Sequence, residues 1–105
     1  MAAFEAAAAD ARRRLQRRSA GWWRDEVAPG VTRADRVAGL VATLAALDPT
    51  GEGRGAPPRP ARDQTLSDQL AVVAYDLTLP DASGADLDAA LDAVATALRD
   101  VDPRR

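Results

Sequence analysis

Apolar side chains recur at helical spacing in this sequence, and that pattern limits the fold more than any other feature. Residues three or four positions apart lie on one face of an α-helix, so a run with this spacing predicts a helix with one buried face. The clearest run ends just before Pro103 and consists of Leu87, Leu91, Val94, Leu98 and Val101.

Three earlier segments have the same periodicity. The first contains Phe4, Ala8, Ala11, Leu15 and Trp22, the second contains Val37, Leu40, Val41, Leu44 and Leu47, and the third contains Leu66, Leu70, Val73 and Leu77. We therefore predict four helices, at approximately residues 3–25, 33–47, 66–79 and 84–101. The Pro29-Gly30 pair predicts a turn between the first two helices.

A Ser or Thr followed three residues later by Asp precedes each of the last three helices. This is the form of a capping box, in which the hydroxyl accepts a hydrogen bond from a backbone N–H of the first turn. The three candidate pairs are Thr32 with Asp35, Thr65 with Asp68, and Ser83 with Asp86.

Composition supports a helical fold with a thin core. The chain has 105 residues, which is typical of one domain. It contains 25 alanines and no isoleucine, and alanine favours helices while burying little surface. We predict a single all-α domain, an antiparallel four-helix bundle of short helices.

The segment 48–64 interrupts the helical pattern. It holds four of the seven prolines and three of the seven glycines, so we predict a mobile loop between the second and third helices. This segment is longer than the usual connection between helices of a bundle, which has roughly two to eight residues. The loop therefore leaves the topology of the bundle open.

Several residue types that carry chemistry are missing from the sequence. There is no Cys and no His, and all 14 basic residues are Arg. Together with the alanines, this suggests a GC-rich bacterial genome. We expect no enzyme activity, no cofactor and no metal site, and we identify no small-molecule substrate, although the bundle interior remains open to a ligand. The apolar runs are too short to span a membrane, so we expect a cytoplasmic protein.

Five arginines fall within residues 12–18, and they allow two interpretations. Arg13, Arg14, Arg17 and Arg18 are candidate contacts for nucleic acid. Alternatively, they form the solvated face of the first helix and are neutralised by acidic residues elsewhere in the chain. Residues 1–62 hold 11 Arg against 7 acidic residues, whereas residues 63–105 hold 3 against 9. The second interpretation is favoured, because an acidic last helix is then a natural neighbour.

The third helix has apolar residues on two sides. Besides its main stripe it carries Val72, Tyr75 and Leu79 on the opposite side. Either both sides are buried within one chain, or the second side contacts another chain.

The two tryptophans also matter, because the sequence has few aromatic residues. Trp22 is in register with Phe4, and we expect it to close one end of the bundle. Trp23 points about 100° away, so it covers a flank or contacts a partner.

These observations favour a non-enzymatic function. We predict a protein–protein interaction module or a homo-oligomerising bundle, with a homodimer or another protein chain as the partner. The candidate interface is Val72, Tyr75, Leu79 and Trp23. The alternative is a nucleic-acid-associated regulatory module that uses the arginines of the first helix, and no membrane contact is expected.

Overall fold

The structure is a computed structural model that describes residues 2–49, 57–79 and 84–102. This part of the chain is mostly helical, which confirms the helix-rich fold, and it also contains a small two-stranded sheet. The elements are α1 (Ala2–Gln16), α2 (Ala20–Arg24), β1 (Glu26–Ala28), β2 (Val31–Thr32), α3 (Arg33–Leu47), α4 (Leu66–Leu77) and α5 (Leu87–Val101), with a 3-10 helix at Asp63–Thr65 directly before α4.

Helix α3 has the bounds that the sequence predicts, 33–47. Its capping box is present: the backbone N–H of Asp35 donates to the Thr32 hydroxyl at 3.1 Å, and the backbone N–H of Thr32 donates to the Asp35 carboxylate at 2.9 Å. Two of the free N–H groups at the start of the helix are thereby satisfied.

The predicted first helix, 3–25, is wrong, because the chain breaks at residues 17–19 and forms two helices. Ser19 begins the second one: its hydroxyl accepts a hydrogen bond from the backbone N–H of Trp22 at 3.3 Å. The break changes which face of the following turn points inward. Trp23 is 0% exposed, whereas Trp22 is only partly buried, so the two rings exchange the roles expected of them.

A short β-hairpin follows α2 and was not predicted. Its turn is the expected Pro29-Gly30 pair, and Gly30 has φ of 75°, a conformation that glycine adopts without strain. The strands pair antiparallel, with Glu26 opposite Thr32 and Ala28 opposite Val31.

The starts of α4 and α5 differ from the predicted caps. Thr65 has helical backbone angles and its side chain makes no capping hydrogen bond, because the 3-10 turn already continues into α4. Asp86 is itself the N-cap of α5, and its carboxylate accepts from the backbone N–H of Ala89 at 2.9 Å. Ser83 lies outside the described residues. The last helix therefore begins at Leu87 and not at residue 84.

The long helices pack in a defined pattern. Helices α1 and α3 each pack mainly against α4 and α5. Arg14, near the end of α1, contacts Asp102 just after α5. Ala7, about two turns earlier in α1, lines a groove with Val94, about two turns earlier in α5. Helices α1 and α5 therefore run in the same direction. The predicted antiparallel four-helix bundle is therefore not confirmed.

The other contacts fix the remaining directions. Arg12, in the last turns of α1, contacts Asp68 in the first turn of α4, which makes these two helices antiparallel. Arg33, at the start of α3, contacts the Val101 carbonyl at the end of α5, so α3 and α5 are also antiparallel. It follows that α3 and α4 run in the same direction.

Residues 58 and 59 contact the starts of α3 and α4. Asp35, near its start, accepts from the Arg59 guanidinium at 3.1 Å, and the Pro58 carbonyl accepts from the Gln69 side chain at 2.9 Å. From Asp35 to Leu47 α3 is about 18 Å long, which 12 residues of chain span easily. Residues 50–56 of the predicted mobile loop lie outside the described residues.

The core lies among α1, α3, α4 and α5, with Trp23 from α2. Its largest fully buried side chains include Trp23, Phe4, Leu15, Leu44 and Leu70. Five of the 18 buried apolar residues in the described part of the chain are alanines. In the described part of the chain, no helix is both long and apolar enough to cross a membrane.

Candidate protein interface

The outer face of α4 carries exposed apolar side chains. Val72 is 60% exposed and Tyr75 is 65% exposed, and they are the large apolar side chains that the described residues leave open to solvent. Leu79, one turn beyond Tyr75, is half-buried. The interpretation in which both sides of this helix are buried within one chain is therefore wrong for Val72 and Tyr75.

A groove of about 240 Å³ lies between α1 and α4, and Tyr75 lines it. Its walls include Phe4 and Ala8 of α1 and Ala71, Ala74 and Tyr75 of α4. The alanines leave room between the two helices, because their side chains end at Cβ. The Tyr75 ring thus stands at the edge of a recess with an apolar floor. We call Val72, Tyr75 and this recess the α4 surface.

Charged residues mark the two ends of the groove. Arg12 lies at the end where α4 begins, with its Nη2 atom 3.3 Å from Asp68 Oδ1. Glu5 lines the groove about two turns away along α1, towards the end of α4. The α4 surface is therefore an apolar strip with Arg12, which is paired with Asp68, at one end and the carboxylate of Glu5 at the other.

Trp23, which the sequence made a candidate for this interface, does not belong to it. The residue is 0% exposed, so it offers no surface to a partner, and the prediction that it covers a flank or contacts a partner is wrong. Its indole Nε1 has no hydrogen-bond partner among the described residues. The ring instead forms a T-shaped pair with the ring of Trp22, with centroids 5.2 Å apart.

The ring of Trp22 lies close to two guanidinium groups. The Arg18 and Arg33 guanidinium carbons lie 5.0 and 4.8 Å from its ring centroid, within the range of cation–π attraction. Arg33 also donates to the carbonyls of Val101 at 3.0 Å and Trp22 at 3.2 Å. Arg33, at the start of α3, therefore links this helix to α2 and to the end of α5.

Most of the arginine cluster is engaged within the chain. Arg14 and Arg18 both contact the Asp102 carboxylate at 2.8 Å, and Arg13 and Arg14 contact Asp10 at 3.5 and 3.3 Å. Arg12 contacts Asp68, as described above. Arg17 is exposed. Of the four candidate contacts for nucleic acid, three thus have acidic partners in the same chain.

Asp102 is the centre of this network. Burial raises the pKa of its carboxyl group, but hydrogen bonds from Arg14 and Arg18 outweigh burial, so that the pKa is lowered. The negative charge is therefore stabilised where it stands. Asp102, directly after α5, thus pairs with Arg14 of α1 and with Arg18 just after α1, in agreement with the predicted neutralisation of these arginines within the chain.

Sequence reasoning missed Arg33 and Asp102. A signal existed for Arg33, because a cation in the first turn of a helix is opposed by the helix dipole and needs a compensating contact. Asp102 had no comparable signal, since nothing in the sequence places it beside Arg14.

The described residues contain no group of three or more acidic side chains arranged to hold a metal ion. No known protein family has a model that matches this chain, and comparisons with curated proteins and with solved structures give no significant match.

Proposed function

We propose that this protein is a non-enzymatic interaction module that forms a homodimer through the α4 surface. The observation that carries the proposal is the exposure of Val72 and Tyr75, 60% and 65%, beside an apolar recess. Large apolar side chains that stand next to each other on a soluble surface are typical of contact sites between proteins.

A second copy of the chain suits this surface. A twofold dimer uses the same patch on both subunits, so the patch must be complementary to itself. The α4 surface combines a projecting ring, Tyr75, with a recess beside it, and a projection on one copy fits the recess of the other.

The magnitudes predict a weak dimer. Burying a side chain of this kind is worth about 1.5–3 kcal/mol, and the two copies together bury four such side chains. The gross gain of about 6–12 kcal/mol competes with an association cost of about 4–15 kcal/mol. These ranges overlap, so we expect a weak dimer whose population rises with protein concentration.

Size-exclusion chromatography with light scattering, over a range of protein concentrations, tests the proposal. The wild type should approach the mass of a dimer as concentration rises. The double variant Val72→Gln/Tyr75→Gln should remain a monomer with an unchanged melting temperature, because neither side chain belongs to the core.

Ala95→Gln is the matched control, since Ala95 is exposed on α5, away from the α4 surface. This variant should associate as the wild type does. A wild type that stays monomeric at high concentration, or a double variant that associates equally well, would overturn the proposal.

A further inference from the structure

We infer that the two copies pack antiparallel across the α1–α4 groove, so that Glu5 of each copy meets Arg12 of the other. This inference rests on the proposed dimer and specifies its geometry. It follows from the opposite charges at the two ends of the groove and from the recess between them.

The charges select one orientation. Glu5 and Arg12 lie on the same helix and line the same groove, about 10 Å apart along the axis. A twofold axis through the middle of the groove exchanges its ends, so each Glu5 faces an Arg12. A parallel arrangement places like charges together at both ends, which is unfavourable.

The recess between these charges accommodates the side chain that the same axis brings to it. Tyr75 projects from the groove wall, and the neighbouring floor is built from Ala8, Ala71 and Ala74. In the antiparallel arrangement each Tyr75 ring enters the recess of the other copy. Aromatic rings that fill a pocket at the centre of an interface often carry much of the binding energy.

Arg12 is able to take a second acidic partner. Its ion pair with Asp68 joins side chains that are 48% and 65% exposed, and exposed pairs of this kind contribute little. A guanidinium group has several N–H donors in a planar fork. Glu5 has no ion pair within the described part of the chain, so its carboxylate is open to an arginine from outside.

A charge-reversal experiment tests this arrangement. Glu5→Arg alone and Arg12→Glu alone each place two like-charged pairs in a homodimer, and each should weaken association by about tenfold or more. An equimolar mixture of the two variants restores opposite charges at both contacts. It should form a heterodimer about as well as the wild type forms its homodimer, as measured by light scattering and native mass spectrometry.

Control variants distinguish a loss of the intermolecular contacts from damage to the fold of the monomer. Arg13→Glu reverses a neighbouring charge that does not line the groove, and it should leave association unchanged. Thermal melting followed by circular dichroism identifies any variant whose fold is damaged, and the Glu5→Arg/Arg12→Glu double variant should regain self-association.

The outcomes also distinguish this inference from the proposed function. Single variants that dimerise as well as the wild type, or a mixture that fails to associate, overturn the antiparallel arrangement while the dimer stands. A monomeric wild type overturns the dimer itself. Growth of the wild type beyond a dimer would indicate head-to-tail contacts, and would contradict the twofold axis.

Discussion

Arg14 holds Asp102 although 88 residues separate them in the sequence. The arginine Nε and Nη2 atoms donate to Asp102 Oδ2 at 3.1 and 2.8 Å, and Nη2 also donates to the Asp102 backbone carbonyl at 3.2 Å. Arg18 binds the other carboxylate oxygen at 2.8 Å. Arg14 in α1 and Arg18 just after it therefore both bind the residue that follows α5.

Asp102→Asn should lower the free energy of unfolding by about 1–3 kcal/mol, because hydrogen bonds to a charged group are lost while both guanidinium groups remain. The Asp102 side chain is 18% exposed, so water compensates only in part. Chemical denaturation measures the change. Asp92→Asn, on the exposed face of the same helix, is the control and should change stability little. An equal effect of the two variants would contradict this role of Asp102.

Stability should depend on pH only in acid. The pKa of Asp102 and that of Asp35 are both lowered from 3.8, the latter by the backbone N–H of Thr32 and then by Arg59. A lowered pKa stabilises the fold above the ordinary value, and that stabilisation is lost as the pH falls through the folded-state value. With no histidine in the chain, the melting temperature should be nearly constant between about pH 5 and 8.

Melting curves recorded from neutral pH down to about pH 2 test this dependence. The difference in stability between the wild type and Asp102→Asn should be constant above pH 3.8, the ordinary value, and should narrow below it. A difference that narrows near neutral pH would show that another group controls the contact.

The two tryptophans should respond oppositely to substitution. Trp22→Phe leaves Trp23, whose fluorescence should be blue-shifted and poorly quenched by acrylamide, because the ring is 0% exposed. Trp23→Phe leaves the partly buried Trp22 and should give stronger quenching. Trp23→Phe should also cost more stability, since it opens space in the core. The reverse pattern would support the burial that the continuous helix 3–25 implies.

Two threonines that look alike in the sequence should differ in their contribution. Thr32→Ala removes a working cap and should cost about 0.5–2 kcal/mol. Thr65→Ala should change stability little, because Thr65 makes no capping hydrogen bond. Parallel urea titrations of the two variants provide the comparison, and equal losses would mean that the 3-10 turn depends on Thr65.

Local patterns predicted the helices well where sequence signals agreed. In α3 the apolar spacing, the Thr32–Asp35 capping box and the Asp48-Pro49 stop all point to one segment, and its bounds were correct. Helical spacing placed Val72 and Tyr75 across α4 from Leu70 and Val73 but left open whether that side is buried, and only the structure shows that both side chains are exposed.

The break after α1 escaped prediction for a physical reason. Residues 17–19 contain neither Pro nor Gly, and continuing the helix brought Trp22 into register with Phe4. Ser19 was the available signal, as a serine that caps a new helix. A few non-helical residues rotate the next turn, so Trp23 and not Trp22 enters the core.

The arrangement of the helices had no local signal at all. The long segment after α3 permits either direction for α4, and only packing between residues far apart in the sequence decides between the two directions, such as that of Phe4 and Ala74 in one groove. The groove of the candidate interface was missed for the same reason, because it exists only where α1 and α4 meet.

The packing of α1 and α3 against α4 and α5 has a consequence for how the chain acquires its fold on the ribosome. Helices α1 and α3 are synthesised before α4 and α5, so their apolar faces stay uncovered until α4 and α5 have been made. Because Asp102, directly after α5, binds Arg14 and Arg18, the packing of α1 is incomplete during synthesis until α5 has also left the ribosome.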